Sequence, residues 1–398
     1  MKKVSTLLLT GIIGSSMLFA GFSGEATISN ELFNLDNHEF GFTTQASSIA
    51  AEIEFSTQTG EAKGEGDIYA EITASLTLTI DEAGSITADP AEVTAANIVG
   101  DGWKVSILGV NGPVDYAADT IIDQGDDEEV YNYSVTGTTV VGVAVTLDDL
   151  ATVSVGYVGD FDALENTTAY VSVEPAEIEI SEGMTVQVGA SLYLDNTLGN
   201  EVGASAKLAY AADDYSASVA VDTGYENGIL DYDAALNVVM SPITLEAYYG
   251  TTNTNSVNDT DGAYSAIDDV LHVKAVTDLA DFDVPVTLTL SGLDLVNTQA
   301  LSAQADITLN EELVANVNGG YTLTGGAWYV GAGAIYTVAD YVADANVTYL
   351  GGDTFKADAS IESTTFVDGA TLTLAWAGGD DLLNSNLGSI TASCLIEF

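Results

Sequence analysis

The side chains of this sequence that could do chemistry are almost all carboxylates. Seven of them stand between apolar neighbours at alternating positions of predicted β-strands: Glu71, Asp233, Glu246, Asp306, Asp344, Asp358 and Glu397. Carboxylates that line a water-filled passage raise the local concentration of cations and repel anions. These seven residues are therefore candidates for lining a channel that prefers cations. The alternative is that they only keep one face of the strands hydrated.

The densest group of acids lies in the segment 123–129. Its acidic residues are Asp123, Asp126, Asp127, Glu128 and Glu129. Oxygen ligands at this density can hold calcium, but their spacing does not match an EF-hand loop. A hydrated loop is therefore the favoured interpretation, and a calcium site is the weaker one. The sequence predicts no other metal site.

The sequence offers little support for enzyme chemistry. Its two histidines, His38 and His272, belong to no Ser-His-Asp arrangement and no metal-ligand set. Paired carboxylates are so frequent that they do not indicate a glycosidase. No glycine-rich phosphate loop lies between a strand and a helix. We therefore predict no catalytic residue, no cofactor and no enzymatic activity.

The charge and the hydrophobicity of the chain form an unusual combination. Its 398 residues include 60 acids and 7 basic residues, all of them lysine, for a net charge of −53. Nucleic-acid partners are excluded because they require basic patches. Highly acidic chains are normally polar and often disordered. This chain, however, is 47% hydrophobic, so its apolar residues need a surface or a core to cover them.

The first 20 residues have the features of a secretory signal peptide. Lys2 and Lys3 precede an apolar stretch from Leu7 to Phe19, and Ala20 is a suitable small residue for cleavage. No later stretch is apolar over the roughly 18 residues that a membrane helix needs. A β-barrel reconciles these facts, because it places apolar residues against lipid and acids in the lumen and loops.

Alternation of residue types with a period of two indicates the β-strands that carry these acids. From about Met184 onward, strands of roughly 9–11 residues alternate apolar with small or polar residues, and aromatic residues lie near their ends. The last strand is the most regular. One side of it carries Ile390, Ala392, Cys394, Ile396 and the terminal Phe398. This pattern is typical of the closing strand that the barrel-insertion machinery recognises.

The region 21–180 is less regular than the region 181–398. It contains strands such as Ile68–Ile80, separated by longer polar segments. Two arrangements therefore stay open for residues 21–180. They either complete the barrel or form a separate β-rich part in the periplasm or at the surface.

Two stretches carry a resemblance to a known family. They are Gly64-Glu65-Gly66-Asp67-Ile68-Tyr69-Ala70-Glu71-Ile72, after Gly41-Phe42-Thr43-Thr44, and Gly369-Ala370-Thr371-Leu372-Thr373-Leu374-Ala375-Trp376, with Ser393-Cys394 beyond it. They resemble the treponemal major outer sheath protein and treponeme-repeat (Tpr) family. The resemblance implies a spirochaete outer-membrane barrel with porin activity, often trimeric. Members of that family carry many lysines, so host-matrix adhesion is not carried over to this chain.

These observations predict an all-β, transmembrane, antiparallel β-barrel of about 16–20 strands, whose closing strand ends at Phe398. The expected location is the outer membrane of a diderm bacterium. The expected function is passive diffusion of ions and small hydrophilic solutes. The expected partners are outer-membrane lipid, the insertion machinery, small cations and solutes, and further copies in a homotrimer. The alternative function is an exported acidic β-sandwich, surface-layer or adhesin protein that binds calcium.

Overall fold

The computed structural model describes residues 25–397, except 41–44, 53–54, 59–67, 76, 81–85, 89–91, 109–115, 118–119, 122–140, 159–167, 196–198, 227–228, 252–268, 353, 368–369, 379–381 and 383–385. The predicted signal peptide, the calcium candidates of segment 123–129 and Phe398 lie outside the described residues. The side chains of Glu71, Ile396 and Glu397 also lie outside them, although their strands are described.

The described residues form β-strands almost throughout. In chain order the strands are β1 (Glu25–Asn34), β2 (Glu39–Phe40), β3 (Gln45–Glu52), β4 (Phe55–Gln58), β5 (Tyr69–Ser75), β6 (Thr77–Ile80), β7 (Ile86–Ala88), β8 (Glu92–Gly100), β9 (Trp103–Leu108), β10 (Val141–Leu147), β11 (Ala151–Val158), β12 (Thr168–Pro175), β13 (Ile178–Ser181) and β14 (Met184–Asp195). They continue with β15 (Gly199–Ala212), β16 (Tyr215–Glu226), β17 (Ile229–Met240), β18 (Ile243–Thr251), β19 (Asp269–Asp278), β20 (Val286–Leu293), β21 (Ala300–Thr308), β22 (Leu313–Thr322), β23 (Trp328–Val338), β24 (Tyr341–Leu350), β25 (Thr354–Val367), β26 (Ala370–Ala377) and β27 (Ser389–Glu397). A 3-10 turn covers Ala280–Phe282. No helix in this part of the chain is long and apolar enough to cross a bilayer.

These segments form one closed antiparallel ring. Several short segments continue their neighbour after an interruption, as β5 and β6 do, so the described residues form a sheet of 22 strands. Each strand pairs with the next one along the chain, and β27 pairs back with β1 through partners such as Ile28 and Cys394. Because β27 pairs with β1, neither the first strand nor the last is a free edge of the sheet, which is how a barrel removes its edges.

The strand number differs from the predicted 16–20. The strands between Glu25 and Ser181 belong to the same ring, because β9 pairs with β10, β12 pairs with β14, and β1 pairs with both β3 and β27. Interruptions and register shifts divide several of these early strands, for example between Thr73 and Ala74. Such irregularities break the alternation of apolar and polar residues, and for this reason the strand number predicted from the sequence was too low.

Register partners across the ring share a face, and the two faces differ in chemistry. One row runs through Leu192, Val202 and Tyr225, which are 37%, 54% and 52% exposed. The row on the opposite face runs through Ser172 and Ser191, which are both buried. We refer to these as the apolar face and the polar face. A barrel in lipid places its apolar face outside, so we assign the polar face to the interior.

Small residues form a continuous buried row on the polar face. Its members are Ser106, Ala144, Ser154, Ser172 and Ser191, each the register partner of the next. The largest side chains of the same strands point the other way and stay exposed. The arrangement is the reverse of a water-soluble sandwich, whose large apolar residues fill a core.

Aromatic pairs lie on the apolar face near both ends of the strands. Tyr210 and Tyr215, 5.9 Å apart between ring centroids, flank the short turn between β15 and β16. Trp328 and Tyr349, 5.6 Å apart, lie at the other end of the barrel. The two ends also differ in their connections. At one end, the ends of successive strands are separated by 9 to 32 residues of sequence, as between β9 and β10, β11 and β12, and β18 and β19, whereas at the other end turns of two residues such as 213–214 join the strands. Outer-membrane barrels show this asymmetry, with their longer loops outside the cell.

Candidate channel interior

The acids that were predicted from the sequence lie on the polar face wherever their side chains are described. Asp233, Glu246, Asp306, Asp344 and Asp358 alternate with exposed apolar residues of β17, β18, β21, β24 and β25. Glu71 lies in β5 and Glu397 in β27. The strands that carry these five acids place them in two groups. Asp306, Asp344 and Asp358 belong to the wall β20–β25, whereas Asp233 and Glu246 belong to the wall β12–β19.

Carboxylates and amides form a ladder along the wall β20–β25. The row Asp306, Asn316, Gly333, Asn346 and Asp358 crosses five strands through register partners. Within the ladder, the Asn346 amide donates hydrogen bonds of 3.1 Å to Asp344 and 3.2 Å to Asp358. These amides hold the acids in place without cancelling their charge.

A neighbouring hydrogen bond repeats the same arrangement. Nε2 of Gln304 donates to both carboxylate oxygens of Asp306, at 2.9 and 3.1 Å. An amide is neutral, so it adds no positive charge beside the carboxylate. The ladder therefore places carboxylates on the polar face at two levels, with Asp306 and Asp358 in one row and Asp344 two residues from it.

Glycine makes room for this ladder at the centre of β23. A Cβ added to Gly333 would overlap Oδ1 of Asn346 and stand 2.8 Å from Nδ2 of Asn316. A Cβ on Gly331 would overlap Oδ1 of Asn318. The amides thus lie flat across the backbone of β23, and only glycine leaves the space they occupy.

The opposite wall carries part of the connection between β9 and β10. The backbone N–H of Tyr116 donates to Oδ2 of Asp222 at 2.9 Å, and the N–H of Ala117 donates to the same oxygen. The Tyr116 hydroxyl donates to Glu174 at 2.9 Å, and the Thr120 hydroxyl donates to Glu246 at 3.3 Å. Tyr116, Ala117 and Thr120, which we call the inner segment, therefore lie on the polar face against strands β12–β18.

Electrostatics favour this docking. Burial raises the pKa of Tyr116, and the hydrogen bond to Glu174 raises it further. The hydroxyl therefore keeps its proton across the physiological range and remains a donor. Glu246 is also paired with Lys274, whose Nζ lies 3.2 Å from Oε2.

The interior also contains a buried acidic pair that the sequence analysis named only in part. Asp222 and Asp233 are register partners on β16 and β17, and they are 1% and 4% exposed. Sequence reasoning missed Asp222, Glu174 and Tyr116. Alternation could have found the two acids, because Asp222 follows Val221 and Glu174 follows Val173 at interior positions. No local signal could have placed Tyr116 on a wall that lies more than 50 residues away.

The side chain of His272 is buried and packed against its neighbours. Its ring is 1% exposed and stacks on Tyr248 at 6.1 Å with an interplanar angle of 9°. Its Nδ1 accepts a 2.9 Å hydrogen bond from the backbone N–H of Asp294. The imidazole is thus enclosed between a ring and a turn. Across the described part of the chain, no group of three or more His, Cys, Asp or Glu side chains could hold a metal ion.

The closing strand lies between β26 and β1. Ile390, Ala392 and Cys394 are register partners of Trp376, Leu374 and Leu372 on the apolar face. The thiol of Cys394 is free. These three residues of the candidate insertion signal therefore lie on the apolar face of the ring, at the seam where the barrel closes.

Comparison with known proteins gave matches to solved structures only. No protein-family model and no curated protein matches the sequence. The siderophore receptor PirA from Pseudomonas aeruginosa is 9% identical with a TM-score of 0.48, over 94% of this chain and 80% of that one. The P pilus usher (PapC) translocation pore is 11% identical with a TM-score of 0.43, over 94% and 99%.

OccK5 (OpdH) of Pseudomonas aeruginosa is 7% identical with a TM-score of 0.40, over 95% of this chain and 99% of that one. The similar structures are outer-membrane β-barrel porins and receptors. The fold assignment itself rests on the closed strand pairing described above.

Proposed function

We propose that this chain is an outer-membrane porin, through which ions and small hydrophilic solutes diffuse passively, and that its channel prefers cations. One observation carries the proposal: a single closed ring presents large apolar side chains on one face and carboxylates with amides on the other. Exposed apolar surface of this extent requires a lipid environment. The polar face then surrounds water.

The balance of charge supports cation preference. The chain has 60 acids and 7 lysines, and Lys274 is paired with Glu246. The chain contains no arginine, which is the usual basic partner in the transverse field of a porin constriction. A passage with fixed negative walls concentrates cations and excludes anions, and the effect weakens as salt screens the charges.

The inner segment supports a restricted passage. Barrels of 22 strands are wide enough that outer-membrane transporters fill them with a plug. In this chain the inner segment, which lies between β9 and β10 in the sequence, contacts the interior wall. We infer that the inner segment narrows the channel from one side.

The test is the reversal potential of the purified protein in a planar bilayer under a KCl gradient. We expect the sign that corresponds to potassium preference. The triple variant Asp306→Asn, Asp344→Asn and Asp358→Asn should move the potential toward zero. A matched control, Asp213→Asn, Asp214→Asn and Asp283→Asn, removes the same charge from exposed turns and should move it much less. Anion preference in the unmodified protein would overturn the proposed selectivity.

The alternative function, an exported acidic sandwich or surface-layer protein, requires two sheets that bury their apolar faces against each other. The large apolar residues of this ring are instead exposed. Fractionation of cells separates the two functions. A porin stays with the outer membrane and shows heat-modifiable gel mobility, whereas a surface-layer protein is released by salt or chelator.

Three narrower proposals accompany this function. Residues 21–180 and 181–398 form one barrel domain, which the pairing of β12 with β14 supports. The insertion machinery recognises β27, whose alternation and position at the seam support this role.

The two motifs that resemble the treponemal family support a homotrimer in a spirochaete outer membrane. Cross-linking of the detergent-purified protein distinguishes a trimer from a monomer.

A further inference from the structure

We propose that His272 is a proton-sensitive latch that holds the turn 294–299 on strand β19, at the end of the barrel where β19 begins. Nδ1 of its ring accepts a 2.9 Å hydrogen bond from the backbone N–H of Asp294. An imidazole nitrogen that accepts a hydrogen bond carries no proton, so the ring is neutral and its proton lies on Nε2. The docked turn therefore requires the uncharged form of His272.

The hydrogen bond from Asp294 to His272 joins two sets of contacts. On the side of β19, the backbone N–H of Leu295 donates to the carbonyl oxygen of Leu271 at 2.9 Å. Within the turn, the Asp294 carboxylate accepts a 2.8 Å bond from the Thr298 N–H. Asp294 therefore fastens the turn to β19 with its backbone and holds the shape of the turn with its side chain.

Uptake of a proton by the ring removes the acceptor. Both nitrogens of an imidazolium are donors, so rotation of the ring restores no acceptor for the Asp294 N–H. His272 is 1% exposed and Asp294 is 2% exposed, which leaves almost no surface for water at this bond. A buried N–H without an acceptor is unfavourable.

The sign of the pH effect follows from the proton count. The docked turn excludes the proton from Nδ1, whereas a released turn lets water solvate the charged ring. The released state therefore binds one proton more than the docked state. Because protons favour the state that binds more of them, a lower pH favours release of the turn.

In the described part of the chain, several charged or titratable groups lie around the ring on the polar face. Tyr248 of β18 stacks on the ring at 6.1 Å, and Asp294 lies in the turn. The next row on one side contains Glu246 and Lys274, which form a 3.2 Å ion pair, and the next row on the other side contains Asp233. Strand β20 has no titratable side chain. These groups affect the pH at which the ring takes up its proton, but the bond at Nδ1 fixes the direction of the change.

Hydrogen exchange of the purified protein in detergent tests the latch, and it does not depend on conductance or selectivity. We compare about pH 7.5 with about pH 5, because histidine ordinarily changes charge in this range whereas aspartate does so at lower pH. After correction for the intrinsic effect of pH on exchange, the amides of Asp294 and Leu295 should exchange about tenfold faster in acid. The amide of Leu313, which donates to Asn310 at 2.9 Å in a turn without histidine, should be unchanged.

Two substitutions separate protonation from packing. In His272→Asn the side-chain oxygen can take the place of Nδ1 as acceptor and cannot be protonated, so the turn should stay protected at both pH values. His272→Leu offers no acceptor, so the turn should exchange rapidly at both. The control His38→Asn changes an exposed histidine in another turn and should keep the pH dependence of the unmodified protein.

Three results overturn the proposal. One is equal corrected exchange of Asp294 and Leu295 at both pH values in the unmodified protein, a measurement that needs no variant to fold. Another is slower exchange in acid, because the charged ring would then strengthen the attachment of the turn. The third is a pH dependence in His272→Asn that matches the unmodified protein.

Discussion

The Tyr116 hydroxyl donates a hydrogen bond of 2.9 Å to a carboxylate oxygen of Glu174, 58 residues further along the chain. The backbone of the same tyrosine donates to Asp222, 106 residues away. One residue thus ties a long connection to two strands of the barrel wall, β12 and β16. Both acceptors are carboxylates, and hydrogen bonds to charged groups are stronger than neutral ones.

Loss of the hydrogen bond between Tyr116 and Glu174 should make the conductance of the channel fluctuate. In Tyr116→Phe the hydrogen bond to Glu174 is lost, which favours the undocked segment by about 1.5–3 kcal/mol. The segment can then swing across the lumen, so we expect transient closures in single-channel recordings to become about tenfold more frequent or more. The fully open conductance should stay the same.

Tyr336→Phe is the matched control for this prediction. Its hydroxyl also donates to a glutamate, Glu312, at 3.0 Å, but this pair lies at the strand ends and not on the inner segment. Closures that are equally frequent in Tyr116→Phe and Tyr336→Phe would show that the attachment to Glu174 does not hold the segment.

Adjacent residues of β21 should differ in their contact with water. Ser302 is on the polar face and Ala303 on the apolar face. We expect Ser302→Cys to react with a membrane-impermeant maleimide in proteoliposomes and Ala303→Cys to be protected by lipid. Both variants carry Cys394→Ser to remove the native thiol. After denaturation in detergent the two should label equally, which controls for reactivity. Equal labelling before denaturation would contradict the assignment of the faces.

The turn after β20 should lose stability in acid. Burial works to raise the pKa of Asp294, but hydrogen bonds from Thr298 and Asn297 outweigh it and leave the pKa below its usual range. The ionised carboxylate therefore adds stability above the unfolded value of about 3.9. That stability is lost as the pH falls through the lower folded pKa.

The corresponding variant is Asp294→Asn, which loses the acceptor of the 2.8 Å bond from the Thr298 N–H. At pH 7 we expect its midpoint of urea unfolding to correspond to a loss of about 1–2 kcal/mol. The difference from the unmodified protein should shrink in acid. Asp213→Asn in an exposed turn should have little effect at either pH. A loss that stays constant down to pH 2 would refute the role of the charge.

The amide ladder should depend on the glycine beneath it. In Gly333→Ala the new methyl group overlaps Asn346 and stands 2.8 Å from Nδ2 of Asn316. We expect a loss of about 1–3 kcal/mol in unfolding experiments and a weaker cation preference, because Asn346 no longer fixes Asp344 and Asp358. Gly319→Ala on the neighbouring strand meets its nearest atom, the Tyr329 carbonyl oxygen, at 3.2 Å and should be milder. Identical behaviour of the two variants would show that the ladder needs no such space.

The alternation within single strands and the pairing between strands give different information about the polar face. Alternation alone identified Asp306, Asp344 and Asp358 as one polar face, since a strand sends successive side chains to opposite sides. It could not show that Asn316 and Asn346 lie between Asp306 and Asp358 in one row. Register between strands decides which residues become neighbours, and register depends on turns and shifts that the composition does not reveal.

The sequence by itself determined the all-β class, the antiparallel hairpins and the chemistry of the two faces, because these follow from a period of two within single strands. Only the tertiary structure decided that the strands number 22, that Ile28 meets Cys394 at the seam, and that Tyr116 docks on Asp222. The physical reason is that ring closure and loop docking depend on contacts between distant residues. No local repeat encodes such contacts, and every one of them must be compatible with all the others at once.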